Sequence, residues 1–235
     1  MIFLNAVLSQ QYTSEKLPAA VRAALGKPLR WAATLTQLAL VGALACLPKE
    51  RRHLPTALLW QSTSGPRLET LVLLDEMRVD GEPLPYDFLA TQPAIAAAQI
   101  QAVLPGLQSA MHLPLDSEGA ANWSLLLALA VGWLADGRYE QVLCAQIDHW
   151  ADAASGHWLA LSRTPLENSS LRLQLVNKAT GDALADTPDL PARLADWLAN
   201  GAGPTLSLRS PAAPRLAVEF ARLQSTRHRH VRIRF

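Results

Sequence analysis

The chain has 235 residues, of which 50% are hydrophobic and 17% are charged, so it can bury a sizeable core. Its 21 basic and 20 acidic residues nearly cancel, which argues against nucleic acid or an anionic membrane as a general partner. The N-terminus has no basic region and no small-residue cleavage site, and the apolar segment 31–47 falls slightly short of a membrane span. These features predict a soluble cytoplasmic protein without membrane insertion.

The first 165 residues alternate between strand and helix patterns. Apolar runs predict buried strands at 2–8, 55–63, 109–116, 140–148 and 157–163. Helical patterns predict helices at 29–47, 67–81, 92–104 and 118–136, and the proline-punctuated segment 82–89 is predicted to be a loop. Helix 67–81 is amphipathic, with apolar residues at Leu68, Leu71, Leu74 and Met77. This alternation predicts an α/β fold in which helices cover both faces of a mixed sheet.

The residues after 165 predict a smaller extension. Leu171, Leu173 and Leu175 alternate before a turn near Gly181, which predicts a hairpin over 170–184. Helices are predicted at 188–201 and 215–224. We therefore divide the chain into a domain at 1–165 and a C-terminal extension at 166–235.

The cysteines and histidines do not indicate a metal or a disulfide. Cys46 and Cys144 lie inside apolar runs, which is typical of small buried side chains in a reducing compartment. The histidines show no metal-ligand spacing with cysteines or carboxylates; those considered are His112, His149, His157, His228 and His230. The sequence therefore predicts neither a metal nor another cofactor.

The junction between strand 109–116 and helix 118–136 is the kind of place where many enzymes carry a nucleophile. The first N–H groups of a helix and its macrodipole stabilise an anion and lower the pKa of a thiol. Ser117 is predicted to be the N-cap of this helix. Ser117 could alternatively be a hydrolase nucleophile, although "DSEGA" is not G-x-S-x-G and no acid–histidine pair follows it.

The order of three segments resembles a known family. They are "ALLWQSTSGP", "YDFLATQPAIAAAQIQAVLPGLQSAMHLPL" and "DSEGAANWSLLLALAVGWLADGRYEQVLCAQID". Across residues 55–165 they resemble the N-terminal half of a β-ketoacyl synthase of the thiolase superfamily. The chain is similar in particular to the short, degenerate ketosynthase-like proteins of aryl-polyene and other type II polyketide pathways. The resemblance implies a single thiolase-like half, followed by the hairpin and helix of the extension.

The departures from the family concern its catalytic residues. Counted back from Gly137, the position of the ketosynthase cysteine falls at Ala120, between Gly119 and Ala121. Ketosynthases also use two histidines from a second half of the fold, and residues 170–235 are not predicted to form that half. The resemblance therefore implies a chain that is not an enzyme on its own. It implies a chain length factor, which forms a heterodimer with an active ketosynthase and shapes the acyl tunnel.

The resemblance also implies positions for the tunnel and the dimer interface. Phe88, Ile95 and Gln99 are expected to face the tunnel, although plain core packing is an equal alternative for each. The interface is expected to contain strand 109–116 and the small-residue helix, through Ala98, Met111, Leu113 and Leu115. Pro114 lacks a donor for the strand ladder, so pairing beyond it is not expected.

The C-terminal residues alternate apolar and basic side chains, which predicts a strand with one basic face. Arg229, Arg232 and Arg234 are candidate contacts for an acyl carrier protein, an acidic partner that the resemblance supplies. A solvated edge strand protected by its charges is the alternative.

Two further functions remain open at this point. One is a serine-dependent hydrolase or acyltransferase that uses Ser117. The other is a structural homodimer that acts as a scaffold in a biosynthetic complex.

Overall fold

The structure is a computed structural model, which describes residues 1–29, 32–82, 84–115, 120–151, 153–167, 169, 171–177, 182–201, 203–209 and 217–223. Nine strands lie among these residues: β1 (Ile2–Thr13), β2 (Thr56–Ser62), β3 (Leu107–Pro114), β4 (Gln141–Trp150), β5 (Ala153–Ser162), β6 (Leu171–Val176), β7 (Asp182–Leu184), β8 (Thr205–Arg209) and β9 (Ala217–Arg222). The same ranges contain seven α-helices: α1 (Leu17–Leu25), α2 (Thr34–Cys46), α3 (Arg67–Asp80), α4 (Pro85–Ala90), α5 (Pro93–Gln101), α6 (Trp123–Ala135) and α7 (Leu190–Asn200).

The strands form one mixed sheet in the order β3-β2-β4-β5-β1-β6-β9-β8-β7. β2 is parallel to β3 and β4, whereas β5 runs antiparallel to both β4 and β1. The predicted α/β fold with a mixed sheet is confirmed.

Alternate residues along the strands pack against helices on opposite faces, as the two-residue period of a strand requires. Leu59 and Cys144 face a cluster that contains α6 and α7, whereas Leu58 and Ala145 face a cluster that contains α1, α2 and the end of α5. The prediction of helices on both faces is therefore confirmed.

The second group of strands repeats the arrangement of the first. β1-β5-β4-β2 and β6-β9-β8-β7 have the same order of directions, and β1 pairs with β6 antiparallel through Ile2↔Leu173 and Leu4↔Leu171. α6 leads into β4, and α7 leads into the corresponding strand β8. The described residues after 170 therefore form a second group of strands with one helix, where the sequence predicted no second α/β layer with a histidine motif; His228 and His230 lie outside the described residues. The boundary at residue 165 falls in the connection between β5 and β6 and stays a prediction.

Two predictions about the C-terminal part are corrected by the strand pairing. β6 and β7 do not form a hairpin, because β6 pairs with β1 and β9 while β7 pairs with β8; the antiparallel pair of this part is β8–β9. Segment 215–224 contains β9 instead of a helix, because Val218 and Phe220 alternate inward with a period of two. The helix at 188–201 is confirmed as α7.

Other boundaries also differ. Segment 82–89, predicted as a loop, contains the start of α4, in which Pro85 occupies the first helical turn, where its missing N–H costs no hydrogen bond. α1 and β8 were not predicted. α6 begins at Trp123 with Asn122 as its N-cap, so neither the helix start at 118 nor the N-cap at Ser117 is correct. Ser117 itself lies outside the described residues.

Helix α3 buries less of its apolar stripe than its sequence suggests. Leu73 is 7% exposed, whereas Leu71 and Leu74 are 49% and 55% exposed. The side that faces the chain carries Glu69 together with Leu73. The amphipathic stripe therefore faces outward.

Candidate functional site

The carboxyl ends of β2 and β4 hold the segment that leads into α6. Gln61 and Gln146 are neighbours in the two strands, and both are buried. Gln61 Nε2 donates to Gln146 Oε1 at 3.0 Å, Gln61 Oε1 accepts from the Asn122 N–H at 2.9 Å, and Gln146 Nε2 donates to the Ala120 carbonyl at 3.2 Å. The two amides therefore fix the backbone of residues 120–122.

Asp148, on the same face of β4, organises the turn that follows β2. Its Oδ1 accepts from the N–H groups of Thr63 and Ser64 at 2.7 and 2.9 Å, and from the hydroxyls of Thr63 and Ser62 at 2.9 and 3.1 Å. Its Oδ2 accepts from Gln146 Nε2 at 3.2 Å. A buried carboxylate with this many donors is engaged in holding the backbone, as buried charges in proteins usually are.

The N-terminus of α6 is capped by a carboxylate from the second group of strands. Asp186 lies between β7 and α7; its Oδ1 accepts from the Trp123 N–H at 2.8 Å, and its Oδ2 accepts from the Ser124 N–H at 3.0 Å and from the Ser124 hydroxyl at 2.7 Å. The Asn122 side chain makes no capping hydrogen bond. The helix end that would stabilise an anionic intermediate is thus occupied by an anion of the chain itself.

Ala120 lies three residues before α6 and is half-buried. Its carbonyl is held by Gln146, and its methyl side chain offers no nucleophile. Residues 116–119 lie outside the described residues. The correspondence of Ala120 with a ketosynthase cysteine stays a prediction.

A cavity of about 270 Å³ lies on the opposite face of the sheet, between α2, α3 and α4. Its lining residues are Thr34, Leu68, Glu69, Val72, Leu73, Asp87, Ala90 and His149. Glu69 Oε1 accepts from the Thr34 N–H at 3.2 Å and is 4.0 Å from His149 Nδ1. Glu69 Oε2 and both ring nitrogens of His149 are buried, and no described residue offers them a hydrogen-bond partner. Such atoms are uncommon in proteins and call for an explanation.

The residues predicted to face a tunnel lie on two adjoining helices. Phe88 is on α4 and is 55% exposed, and Ile95 and Gln99 are half-buried on α5. α4 contributes Asp87 and Ala90, not Phe88, to the cavity described above. The tunnel role of the three residues stays a prediction.

The residues predicted to lie at an interface are found on β3 and α5. β3 is one of the two edge strands and pairs with β2 alone among the described strands. Met111 is 41% exposed, Ala98 is exposed, and Leu113 and Leu115 are half-buried. The ladder continues past Pro114, since the Leu115 N–H donates to the Ser62 carbonyl at 3.0 Å, so pairing extends further than expected. The interface role also stays a prediction.

Two further histidines are half-buried. His112 stacks on Trp60 with ring centroids 4.1 Å apart, and His157 Nδ1 is 3.0 Å from Ser9 Oγ. Burial lowers the pKa of His112, opposed by the charge of Asp148, and burial also lowers the pKa of His157.

The cysteines are confirmed as buried and free. Burial raises the pKa of Cys46 to about 12 and raises that of Cys144 further, so neither thiol forms a nucleophilic thiolate readily. No group of three or more His, Cys, Asp or Glu that could hold a metal occurs in the described part of the chain. Within those same ranges, no helix is long and apolar enough to span a bilayer. Arg229, Arg232 and Arg234 lie outside the described residues.

Sequence reasoning missed the four polar residues that build the junction: Gln61, Gln146, Asp148 and Asp186. A signal for two of them was present, because a glutamine ends each of two apolar runs, "LLWQ" and "LCAQ". Equivalent polar residues at the carboxyl ends of parallel strands meet at one edge of a sheet. Asp186 gave no such signal, because its contact depends on the packing of the two strand groups.

Comparison with known proteins identifies the fold. No protein-family model and no curated protein matches the sequence. A chain from the complex of the ketosynthase ApeO with its chain length factor ApeC from Xenorhabdus doucetiae matches with a TM-score of 0.55 and 14% identity, over 94% of this chain and 99% of that chain. A chain of the ishigamide ketosynthase/chain length factor matches with a TM-score of 0.58 and 13% identity, over 86% and 84%.

A chain from the complex of AntDE with AntF, a type II polyketide synthase acyl-carrier protein bound to its ketosynthase, matches with a TM-score of 0.59. The identity is 9%, over 94% of this chain and 99% of that chain. The described residues therefore have the thiolase-like fold seen in ketosynthase and chain-length-factor complexes.

Proposed function

We propose that the chain is a non-catalytic ketosynthase-like subunit, a chain length factor that pairs with an active β-ketoacyl synthase. The observation that carries the proposal is the Asp186 carboxylate on the first N–H groups of α6. A condensing enzyme needs that helix end to support a nucleophile, and here Ala120 precedes a helix end that is already neutralised. The junction keeps its form through Gln61 and Gln146 and has no thiol to acylate.

The working partner would be a complete ketosynthase that carries the growing chain on its own cysteine. Phe88, Ile95 and Gln99 would then limit the acyl tunnel from the side of this subunit, in a type II polyketide or aryl-polyene pathway. The similarity to structures of ketosynthases with chain length factors supports this assignment. An acyl carrier protein would deliver the substrate, with Arg229, Arg232 and Arg234 as candidate contacts.

Co-expression tests the proposal. The chain carries the only affinity tag and is purified together with the ketosynthase encoded nearest to it. We expect a one-to-one complex with condensing activity, in which Phe88→Ala changes the length of the product. Ala120→Cys should not give this chain activity of its own, because Asp186 still occupies the helix end.

Two results would contradict the proposal. The first is a chain that emerges folded and without the ketosynthase. The second is labelling of Ser117 by a fluorophosphonate probe that Ser117→Ala abolishes, which would indicate a serine hydrolase or acyltransferase instead.

A further inference from the structure

The outer surface of α3 and α4 is rich in exposed apolar side chains. On α3, Leu71, Val72 and Leu74 are 49%, 57% and 55% exposed, and on α4, Phe88 and Leu89 are 55% and 45% exposed. Single exposed apolar residues are ordinary, but a group of them on two contacting helices is typical of a protein-binding surface. We call the exposed residues 71, 72, 74, 88 and 89 the α3–α4 surface.

The cavity between α2, α3 and α4 opens within this surface, since Val72 belongs to both. Glu69 and Asp87 contribute two carboxylates to its lining, and none of the described residues that line it is a lysine or an arginine. Glu69 Oε2 and the ring nitrogens of His149 have no hydrogen-bond partner among the described residues, although His149 is only 8% exposed. The polar end of the cavity therefore offers acceptors and negative charge to a cationic hydrogen-bond donor.

The remaining walls of the cavity are apolar. Leu68, Val72 and Leu73 line it together with Glu69. Lysine and arginine side chains pack their aliphatic stems on such walls while their charged ends reach polar groups. A small free cation would satisfy the carboxylates but would leave the apolar rim exposed, whereas a protein surface covers both.

We infer that the α3–α4 surface docks the partner ketosynthase and that one lysine or arginine of the partner inserts between Glu69, Asp87 and His149. The identity of the partner rests on the proposed function. The position and charge of the inserted side chain follow from the cavity itself. A buried charged hydrogen bond surrounded by apolar contacts is the arrangement in which interface residues contribute most to affinity.

Three variants of the co-expressed chain test the inference. Asp87→Asn removes one charge from the cavity, and no hydrogen bond of the Asp87 side chain within the described residues is lost. Glu69→Gln removes the other charge but keeps an oxygen that accepts from the Thr34 N–H. Asp75→Asn is the matched control, because Asp75 is exposed on α3 and does not line the cavity. Thermal unfolding of each variant checks that the fold is kept.

The dissociation constant of the ketosynthase complex is measured for each variant at one salt concentration. We expect Asp87→Asn and Glu69→Gln to weaken binding by about tenfold or more, and Asp75→Asn to change it by less than about twofold. One basic residue of the ketosynthase, changed to methionine, should weaken binding to a similar extent. Its effect should not add to that of Asp87→Asn, since both changes remove the same contact.

The outcomes separate the two proposals. If the ketosynthase binds and all three variants bind equally well, the inserted basic side chain is wrong while the proposed function stands. Additive effects for every basic residue of the partner would overturn the inference in the same way. If the unaltered chain retains no ketosynthase, the proposed function fails, and the inference fails with it.

Discussion

At the scale of single residues, the junction before α6 is held by carboxylates and amides that bind backbone groups. Asp148 fixes the turn after β2, and Asp186 fixes the start of α6. Neither carboxylate is left to act on a substrate. Carboxylates act as catalytic groups in many enzymes, but these two stabilise the backbone of the fold.

The cap on α6 predicts a measurable contribution to stability. Asp186→Ala removes the acceptor of two N–H groups and one hydroxyl, so we expect the free energy of unfolding to fall by about 1–2 kcal/mol. Asp186→Asn keeps one acceptor oxygen and should lose less. Urea unfolding measures both. Asp136→Ala, at the other end of α6, is the control and should change stability by less than about 0.5 kcal/mol. An Asp186→Ala variant as stable as the unaltered chain would show that the cap contributes nothing.

Two half-buried histidines predict how stability depends on pH. Burial lowers the pKa of His112 and of His157 from the ordinary 6.5, so below that value the unfolded chain binds more protons than the folded one. Stability should therefore fall as the pH drops from 6.5 toward the folded pKa values, and these residues should cause no further loss below them. Urea unfolding between pH 7.5 and 5.5 measures the slope. The double variant His112→Phe, His157→Gln should flatten it, and an unchanged slope would assign the effect to other groups.

At the scale of elements, two glycines in helices differ in the space around them. Gly42 in α2 faces the indole of Trp158 on β5, and a methyl group at Gly42 would overlap that ring. Gly132 in α6 has open space around the same position. The first helix needs its glycine for close packing, whereas the second does not.

Alanine at these two positions should therefore have opposite effects. We expect Gly42→Ala to lower the free energy of unfolding by about 1–3 kcal/mol, because it overpacks the core against Trp158. Gly132→Ala should raise it by up to about 1 kcal/mol, since alanine favours the helix and meets no neighbour. Thermal unfolding of both variants under one condition checks the difference, and equal effects would contradict the packing described for α2.

The elements that the sequence predicts well are those whose burial is uniform. β2 and β4 are continuous apolar runs because both of their faces are covered, and α5 and α7 each begin with a proline in the first turn. β6 and β9 were harder, because their pairing depends on strands distant in the chain. The apolar stripe of α3 was also misleading, since its periodicity is that of a buried helix while Leu71 and Leu74 are exposed.

In the candidate functional site, too, the local features could be predicted from the sequence and the long-range contacts could not. The junction and the absence of a thiol at Ala120 are visible in the sequence, because both depend on neighbouring residues. Asp186 is 63 residues away from the backbone that it caps, and His149 and Glu69 meet only when α3 packs beside β4. Contacts of this kind arise from the tertiary fold and leave no local pattern.

At the scale of the whole molecule, one sheet contains two groups of strands, β1-β5-β4-β2 and β6-β9-β8-β7, and the first group is formed by a longer part of the chain. In the longer group, α3, α4, α5 and β3 precede α6 between strands β2 and β4, whereas among the described residues only α7, the counterpart of α6, lies between β7 and β8. The inserted elements form one edge strand and the exposed apolar surface. The part of the chain that breaks the similarity of the two groups is thus the part proposed to meet a partner.

This surface predicts the behaviour of the chain without a partner. Expressed alone, the chain should self-associate as its concentration rises, because the α3–α4 surface remains exposed to water. The double variant Leu71→Glu, Leu74→Lys should shift it toward monomer, while both side chains stay on the outside of α3. Sedimentation velocity across a concentration series measures the shift. A chain that stays monomeric at high concentration without substitutions would count against pairing through this face.

The pairing of β1 has a consequence for how the protein is made. Among the described strands β1 is translated first, yet its two neighbours are formed by residues 153–162 and 171–173. During synthesis both edges of β1 therefore stay unpaired while most of the chain is still being translated. Exposed strand edges of this kind can pair with other chains. β2, β4 and β5 can associate earlier, before β6 exists. Translation that pauses before residue 173 would leave β1 without its partner β6, so the two groups of strands would not yet share one sheet.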